Sequence, residues 1–214
     1  NEEEVVSLPL LNTGESGDVK AINADFISVG YSEDALTLTK FNFYYADREG
    51  RVITPILRYP WKATMWNESR VLASLGILTD GSESFANAIN DDGVIVGQSE
   101  VNQLNTVSMQ YFDDSNVVIN GLRPLRHAFR WQNSLLIDIS GSADESEALA
   151  INSKGSIVGW MDNDVTVTTS QNLIDVDGST VLATRTKPIM HAAFWSSAAS
   201  QPQDVHPASS LANK

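Results

Sequence analysis

Ala86-Asn87-Ala88-Ile89-Asn90-Asp91-Asp92-Gly93-Val94-Ile95-Val96-Gly97 decides how the whole chain is read. Two β-prone runs flank an Asn-Asp-Asp-Gly cluster, which spells a tight hairpin with Gly93 taking the positive φ that the turn requires. The pattern returns as Ala148-Leu149-Ala150-Ile151-Asn152, closed by Asn152-Ser153-Lys154-Gly155, and stands earlier as Val19-Lys20-Ala21-Ile22-Asn23. In that first copy Phe26 occupies the glycine position, so its turn is expected to be built differently. Ile22 to Gly30, Ile89 to Gly97 and Ile151 to Gly159 are each eight residues apart. A supersecondary unit used three times is the simplest source of such spacing.

Each copy continues into a third strand: Lys62–Trp66, His127–Trp131 and His191–Trp195. Alternation places the first, third and fifth residues of each run on one face, so the three Trp share a face and are expected to anchor cores. Val71–Leu75, Leu135–Ile139 and Asp204-Val205 read as fourth strands, and Val5–Leu8 aligns with the first of these. No stretch sustains a 3.6-residue period, so the chain is all-β. The expected organisation is residues 1–18 as the last strand of a preceding repeat plus connector, then repeats at 19–84, 85–146 and 147–214, together one repeat domain. Four-stranded units with Gly and aromatic signatures suit a β-propeller-like repeat. Propellers run from about four to eight blades, so three units form part of a larger or incomplete one. A sandwich or stacked β-array of the same hairpins is the alternative architecture.

Between second and third strands every copy carries an insertion, over about 31–60, 100–125 and 161–189. The first, with Phe41–Tyr45 and Arg51-Val52-Ile53, is the one expected to extend its hairpin outward; the other two read as polar. Insertions at one point of every repeat emerge on one face, often the binding face.

Composition narrows the partners. The chain has 214 residues, 42% of them apolar, with 27 acidic against 14 basic side chains and a net charge of −13. Nucleic acid and anionic membrane surfaces are repelled by that balance. With zero cysteines, disulfides, thiolate catalysis and Cys-ligated metals are excluded. No apolar run approaches the about 18 residues of a membrane-spanning helix. Starting at Asn1-Glu2-Glu3-Glu4, without initiator Met or signal peptide, the chain reads as processed or as a fragment.

Candidate chemistry is sparse. His127 and His191 recur in register four residues before a Trp, which points to packing or hydrogen bonding within each unit; His206 has no obvious partner in sequence. Gly30, Gly97 and Gly159 sit inside strands, where close backbone approach explains them better than phosphate binding. Trp61 and Trp160 fall outside the Trp register and are candidates for a surface that contacts glycan or protein. Asp175-Val176-Asp177-Gly178-Ser179 resembles the start of a calcium loop, making Asp175 and Asp177 candidate metal ligands, although Thr186 stands where the twelfth-position acid belongs. No P-loop, Gly-x-Ser-x-Gly or His-Glu-x-x-His motif is present, and no cofactor or catalytic residue is assigned.

Ala-Ile-Asn-x-x-Gly-x-(Val/Ile)-Val-Gly followed by His-Ala-Phe-x-Trp and an Asp-bearing strand resembles the HAF repeat. Together with the long insertions and acidic character, it is similar to the DUF3466 proteins of marine gamma-proteobacteria. The likeness is fullest in the middle copy; Lys62 for His, Thr64 and Ala193 for Phe, and Phe26 for Gly depart from it. The resemblance implies an exported bacterial protein (periplasmic, outer-surface or secreted) with propeller-like repeats and no established activity. The expected function is a non-enzymatic scaffold binding a protein or glycan through its insertions. It would associate with further repeats of a longer protein or with itself. A calcium-stabilised adhesion module and a hydrolase with acids in the insertions or in missing repeats are the alternatives.

Overall fold

The computed structural model describes residues 7–36, 39–41, 45–46, 52–53, 56–79, 81–101, 106–112, 118–174, 180–196 and 201–205. After a 3-10 turn at Leu11–Thr13, β1 (Gly17–Ile22) and β2 (Ser28–Glu33) form the first hairpin. The chain leaves through β3 (Thr39–Phe41), β4 (Tyr45–Ala46), β5 (Val52–Ile53) and β6 (Ile56–Arg58), then returns as β7 (Trp61–Trp66) and β8 (Leu72–Gly76). The second unit runs β9 (Ser84–Ile89), β10 (Ile95–Glu100), an excursion β11 (Thr106–Phe112) and β12 (Val118–Pro124), then β13 (Arg126–Gln132) and β14 (Leu135–Asp138). The third is β15 (Ser146–Ile151), β16 (Ile157–Ile174), β17 (Thr180–Trp195) and β18 (Gln203–Asp204).

The resulting sheets have one order: β1-β2-β7-β8, β9-β10-β13-β14 and β15-β16-β17-β18, all antiparallel. These three four-stranded meanders are the expected all-β units, blade-like and compatible with a propeller, and they do not close into a ring. The segment expected to open as a strand at Val5–Leu8 begins outside the described residues, and Ser7–Leu10 is irregular.

Two apolar layers join the units. Val29 and Ala63 of unit 1 pack against Ala86, Ile89, Ile95 and Phe129 of unit 2. Val96 and Ala128 of unit 2 pack against Ala148, Ile157, Ala193 and Trp195 of unit 3. Each unit thus has a front face, carried by the Ala86/Ala148 position, and a back face, carried by the Val29/Val96 position. Each fully buried Val, Ile or Phe side chain here contributes about 1.5–3 kcal/mol, and each buried Ala methyl about 0.8 kcal/mol.

The Asn turns hold the front edge. In all three hairpins the Asn N–H donates across the turn (Asn23 to Ile27 O, Asn90 to Val94 O, Asn152 to Ser156 O, 3.0–3.1 Å). Its side-chain Oδ1 accepts from the same far residue at 2.9 Å in each. Phe26 does not change this: its N–H donates to Asn23 O as Gly93 and Gly155 donate to Asn90 and Asn152, and its φ is 57° against 73° and 77°. The first turn is therefore built in the same way as the others, contrary to the sequence expectation. Asn23 Oδ1, accepting from both Asp25 and Ile27, holds a phenylalanine in the left-handed region. The same device recurs unannounced between β7 and β8, with Asn67 as acceptor and Arg70 at φ 60°. Because the left-handed region costs a non-glycine residue about 1–2 kcal/mol and Phe26 is 63% exposed, Phe26→Gly is expected to stabilise the chain by about 1 kcal/mol in denaturant melts.

One further contact runs from unit to unit. Asn23 Nδ2 donates to Asn90 O and Asn90 Nδ2 to Asn152 O, both at 3.2 Å, so the turns form a ladder. At the seams Ser84 Oγ accepts from Ala63 N–H and Ser146 Oγ from Ala128 N–H, each at 2.9 Å.

Candidate binding surface

The strands have two ends with different chemistry. The turn end carries the Asn ladder and the recurrent Trp. Trp66 and Trp195 are buried, and their Nε1–H groups donate to Pro9 O and Ile139 O at 2.7 Å. Trp131 departs from the expectation of three equal anchors. It is half-buried and lines an apolar cleft of about 260 Å³ with Ile27, Met65, Ile89 and Ile95.

His127 and His191 each face an aspartate on the fourth strand of their own unit. His127 Nδ1 lies 2.7 Å from Asp138 Oδ2 and His191 Nδ1 lies 2.5 Å from Asp204 Oδ2. A carboxylate can only accept, so Nδ1 carries the proton in both. Ser140 donates from Oγ to Asp138 Oδ1 at 2.6 Å and sits 3.0 Å from the same Nδ1. A relay of the Ser-His-Asp kind needs the serine on Nε2, opposite the aspartate. Here both oxygens converge on one nitrogen, an arrangement that locks a buried ring in place. His206 lies outside the described residues.

Burial raises the Asp138 carboxyl, but the bonds from His127 and Ser140 outweigh it and hold it below the ordinary 3.8. A carboxylate depressed on folding stabilises the native state above its unfolded pKa, and that contribution disappears as pH falls through the folded one. Melting temperatures measured downward from pH 6 should therefore fall once pH drops below about 4, and Asp138→Asn should flatten that fall. Removing the charged acceptor should itself cost about 1 kcal/mol at neutral pH.

The other end of the strands is where each chain excursion departs and returns, at Glu33/Trp61, Glu100/Arg126 and Asp162/Met190, which are paired residues. Acids gather there in register: Glu83, Glu100, Glu145 and Asp162 are all buried. Trp61 N–H donates to Glu83 Oε1 at 3.1 Å, and Lys62 Nζ donates to Ser82 O at 2.7 Å. Burial holds the Lys62 ammonium below its ordinary value, against the pull of Asp34, Glu83 and Glu100.

Above these acids an aromatic group spans the first seam. The Tyr31 ring meets Trp61 edge-on at 5.1 Å and Phe85 of the next unit at 5.1 Å. Lys20 lies over Tyr31 and Arg126 over Phe85, each at 5.4 Å. Trp61 is thus half-buried in a cluster whose other members, Tyr31 and Phe85, gave no sequence signal. Trp160 is also half-buried and stands on unit 3, its Nε1–H donating to Glu147 Oε2 at 2.9 Å. Unit 2 lies between the two Trp, so they do not form one platform.

The excursions themselves pair. β11 and β12 form a hairpin from Thr106↔Pro124 to Phe112↔Val118, and Asn120 pairs with Ala46 of the first excursion, giving a sheet β11-β12-β4-β5. In unit 3, β16 and β17 run on past a register shift as one long hairpin to Ile174↔Thr180. The outward extension expected of the first insertion is therefore clearest in the second and third. Asp175 and Asp177 lie outside the described residues. Among the described residues no group of three or more His, Asp or Glu is placed to hold a metal ion, and no helix is long and apolar enough to cross a membrane.

No curated protein and no solved structure matches the chain. A family model described as "Protein of unknown function (DUF3466)" matches residues 21–173. That stretch holds most of unit 1, all of unit 2 and the first hairpin of unit 3, well over half of the chain, and the chain belongs to this family.

Proposed function

We propose that the chain is a non-enzymatic, exported β-repeat scaffold of the HAF kind that binds a glycan or protein through the excursion end of its units. One observation carries the reading. Residues that recur from unit to unit are engaged in scaffold contacts, as in the His–Asp pairs, the Asn ladder and the seam serines. What differs between units is the excursion, and all three leave the sheets at the same end. Insertions sharing one end of a repeat array commonly form its binding face. The Tyr31–Trp61–Phe85 group at the base of the first two excursions offers ring faces and edges for a sugar or an apolar side chain. A chain with no cysteine is indifferent to the redox state of a compartment outside the cytoplasm.

The test is a glycan array, followed by titration of any hit against three proteins. These are the full chain, Trp61→Ala, and a chain in which residues 163–188 are replaced by a two-residue turn. Binding that weakens at least about tenfold in one variant, while its melt stays cooperative, supports the reading. Binding that survives in both places the ligand elsewhere. No binding to any glycan leaves a protein partner as the surviving form, to be sought with the excursions as bait.

A further inference from the structure

The three recurrent Trp are finished in two ways. Trp66 and Trp195 each donate from Nε1 to a main-chain carbonyl, Pro9 O and Ile139 O, at 2.7 Å. Trp131 holds the same repeat position, yet among the described residues nothing accepts from its indole N–H. It stands at the turn end of the seam between units 1 and 2, away from the excursions. Ile95 pairs with Ile89 on one side and with Trp131 on the other, so three adjacent strands of unit 2 set these side chains side by side. Ile27 and Met65 of unit 1, both half-buried, form the other wall of the cleft of about 260 Å³. In the second seam the residue at the Met65 position is Arg130, and Trp195 is 0% exposed. The rim of the open cleft is polar and fixed. Asn133 and Ser134, at φ 52° and 62°, are the two left-handed residues of the tight turn between β13 and β14, and Asp92 stands on the rim with them.

We infer that this cleft takes one large apolar side chain, of Phe or Leu size, from an extended basic segment of a partner protein. Volume, hydrogen bonding and charge choose that occupant. Pockets that enclose a whole drug-sized ligand run to about 300–1,000 Å³. At about 260 Å³ this one is matched to a single side chain. A peptide brings with that side chain a main-chain carbonyl, the acceptor that Trp66 and Trp195 already have within the chain. Asp92 is the one charged residue among those lining the cleft, and the chain carries −13 overall. Lys or Arg beside the apolar anchor is therefore attracted, and a carboxylate such as that of a fatty acid is repelled. The floor is set before any ligand arrives, with Ile89 and Ile95 at 9% and 0% exposure. An apolar anchor in a formed pocket, with polar groups around it, is the arrangement that concentrates binding energy in a few residues. The site is separate from the excursion end and does not depend on the binding proposed there.

The test is a titration of the full chain with acetylated, amidated Lys-Phe-Lys up to about 10 mM, followed by the indole N–H signals of its five Trp in NMR spectra. Trp131→Phe assigns the signal by removing it. The Trp131 signal should shift saturably while that of Trp61 stays. Lys-Ala-Lys should bind at least about tenfold more weakly, because the buried apolar area is lost. Glu-Phe-Glu should bind at least about threefold more weakly, because the rim acid repels it. Backbone amide shifts of Ile89 and Ile95 then follow binding to two variants. Trp131→Phe keeps the apolar wall without the donor and should weaken Lys-Phe-Lys about fivefold. Met65→Arg installs the residue of the second seam and should weaken it at least about tenfold. Both positions are half-buried, so both variants should keep cooperative melts. Absence of a saturable Trp131 shift overturns the inference, as does a shift confined to Trp61. Equal binding of Lys-Ala-Lys would reduce the effect to general charge attraction and overturn it. Equal binding of Glu-Phe-Glu would overturn the basic character of the partner, and undiminished binding to both folded variants would overturn the site.

Discussion

Replacing Trp195 by alanine is expected to lower the melting temperature by about 10 °C, and replacing Trp131 by far less. Trp195 is completely buried, packed with Val96, Ala128, Ala148 and Ile157 across the second seam. Truncating a buried Trp costs about 3–5 kcal/mol, because the apolar transfer term is joined by an unfilled cavity. The Ile139 carbonyl, which accepts the indole N–H at 2.7 Å, also loses its donor. For a chain of this length each kcal/mol moves the midpoint by about 2–4 °C. Trp131 holds the same repeat position but is half-buried on an open cleft, so its loss leaves mostly solvent-filled space. Melts of the two variants followed by circular dichroism measure the difference. Equal shifts would mean that the seams do not carry the stability assigned to them.

Gly97→Ala should be the more damaging of two glycine substitutions only four residues apart, by a wide margin over Gly93→Ala. A Cβ on Gly97 would stand 2.0 Å from Phe85 O, and the equivalent positions Gly30 and Gly159 meet Asp18 O and Glu147 O at 1.9 Å. These obstacles are the backbone of the neighbouring strand beside a β-bulge, so no side chain can turn away. Overpacking against a fixed strand costs about 3 kcal/mol or more. Gly93 has nothing within 4 Å of its Cβ position, and only its φ of 73° opposes alanine. That limits the cost to about 1–2 kcal/mol. Urea denaturation of both variants separates clash from conformational strain. If both cost the same, the close strand approach is not holding the hairpin.

The contrast between these glycines marks how far the amino-acid pattern could be read. Gly93, flanked by Asn-Asp and β-branched runs, announces a turn through local chemistry alone. Gly97 announces a close approach because glycine inside a β-branched run has few other reasons to recur. Phe26 could not be read in the same way. The turn it occupies is set by Asn23, whose side-chain oxygen fixes the loop strongly enough to override the preference of the fourth residue. Asn67 and Arg70 hide an identical turn for the same reason.

At the binding end, Trp61 stood out by falling outside the Trp register. Tyr31 and Phe85 did not, because their contact joins two units 54 positions apart in sequence. The partners of His127 and His191 were equally hidden. Asp138 lies 11 residues on and Asp204 lies 13, so the shared geometry leaves no fixed spacing to detect.

The Asn ladder has a consequence for how such chains lengthen. Its rungs join positions 67 and 62 residues apart, and each rung uses only an asparagine side chain and the backbone carbonyl of the next turn. A duplication or loss of one whole unit leaves every rung chemically intact, since any turn can serve as donor or acceptor for any other. A cut within a unit leaves a donor facing no turn and a bare apolar face beside it. Gene-level change in this architecture is thereby channelled into whole-unit steps, while the excursions, attached at the opposite end, are free to diverge.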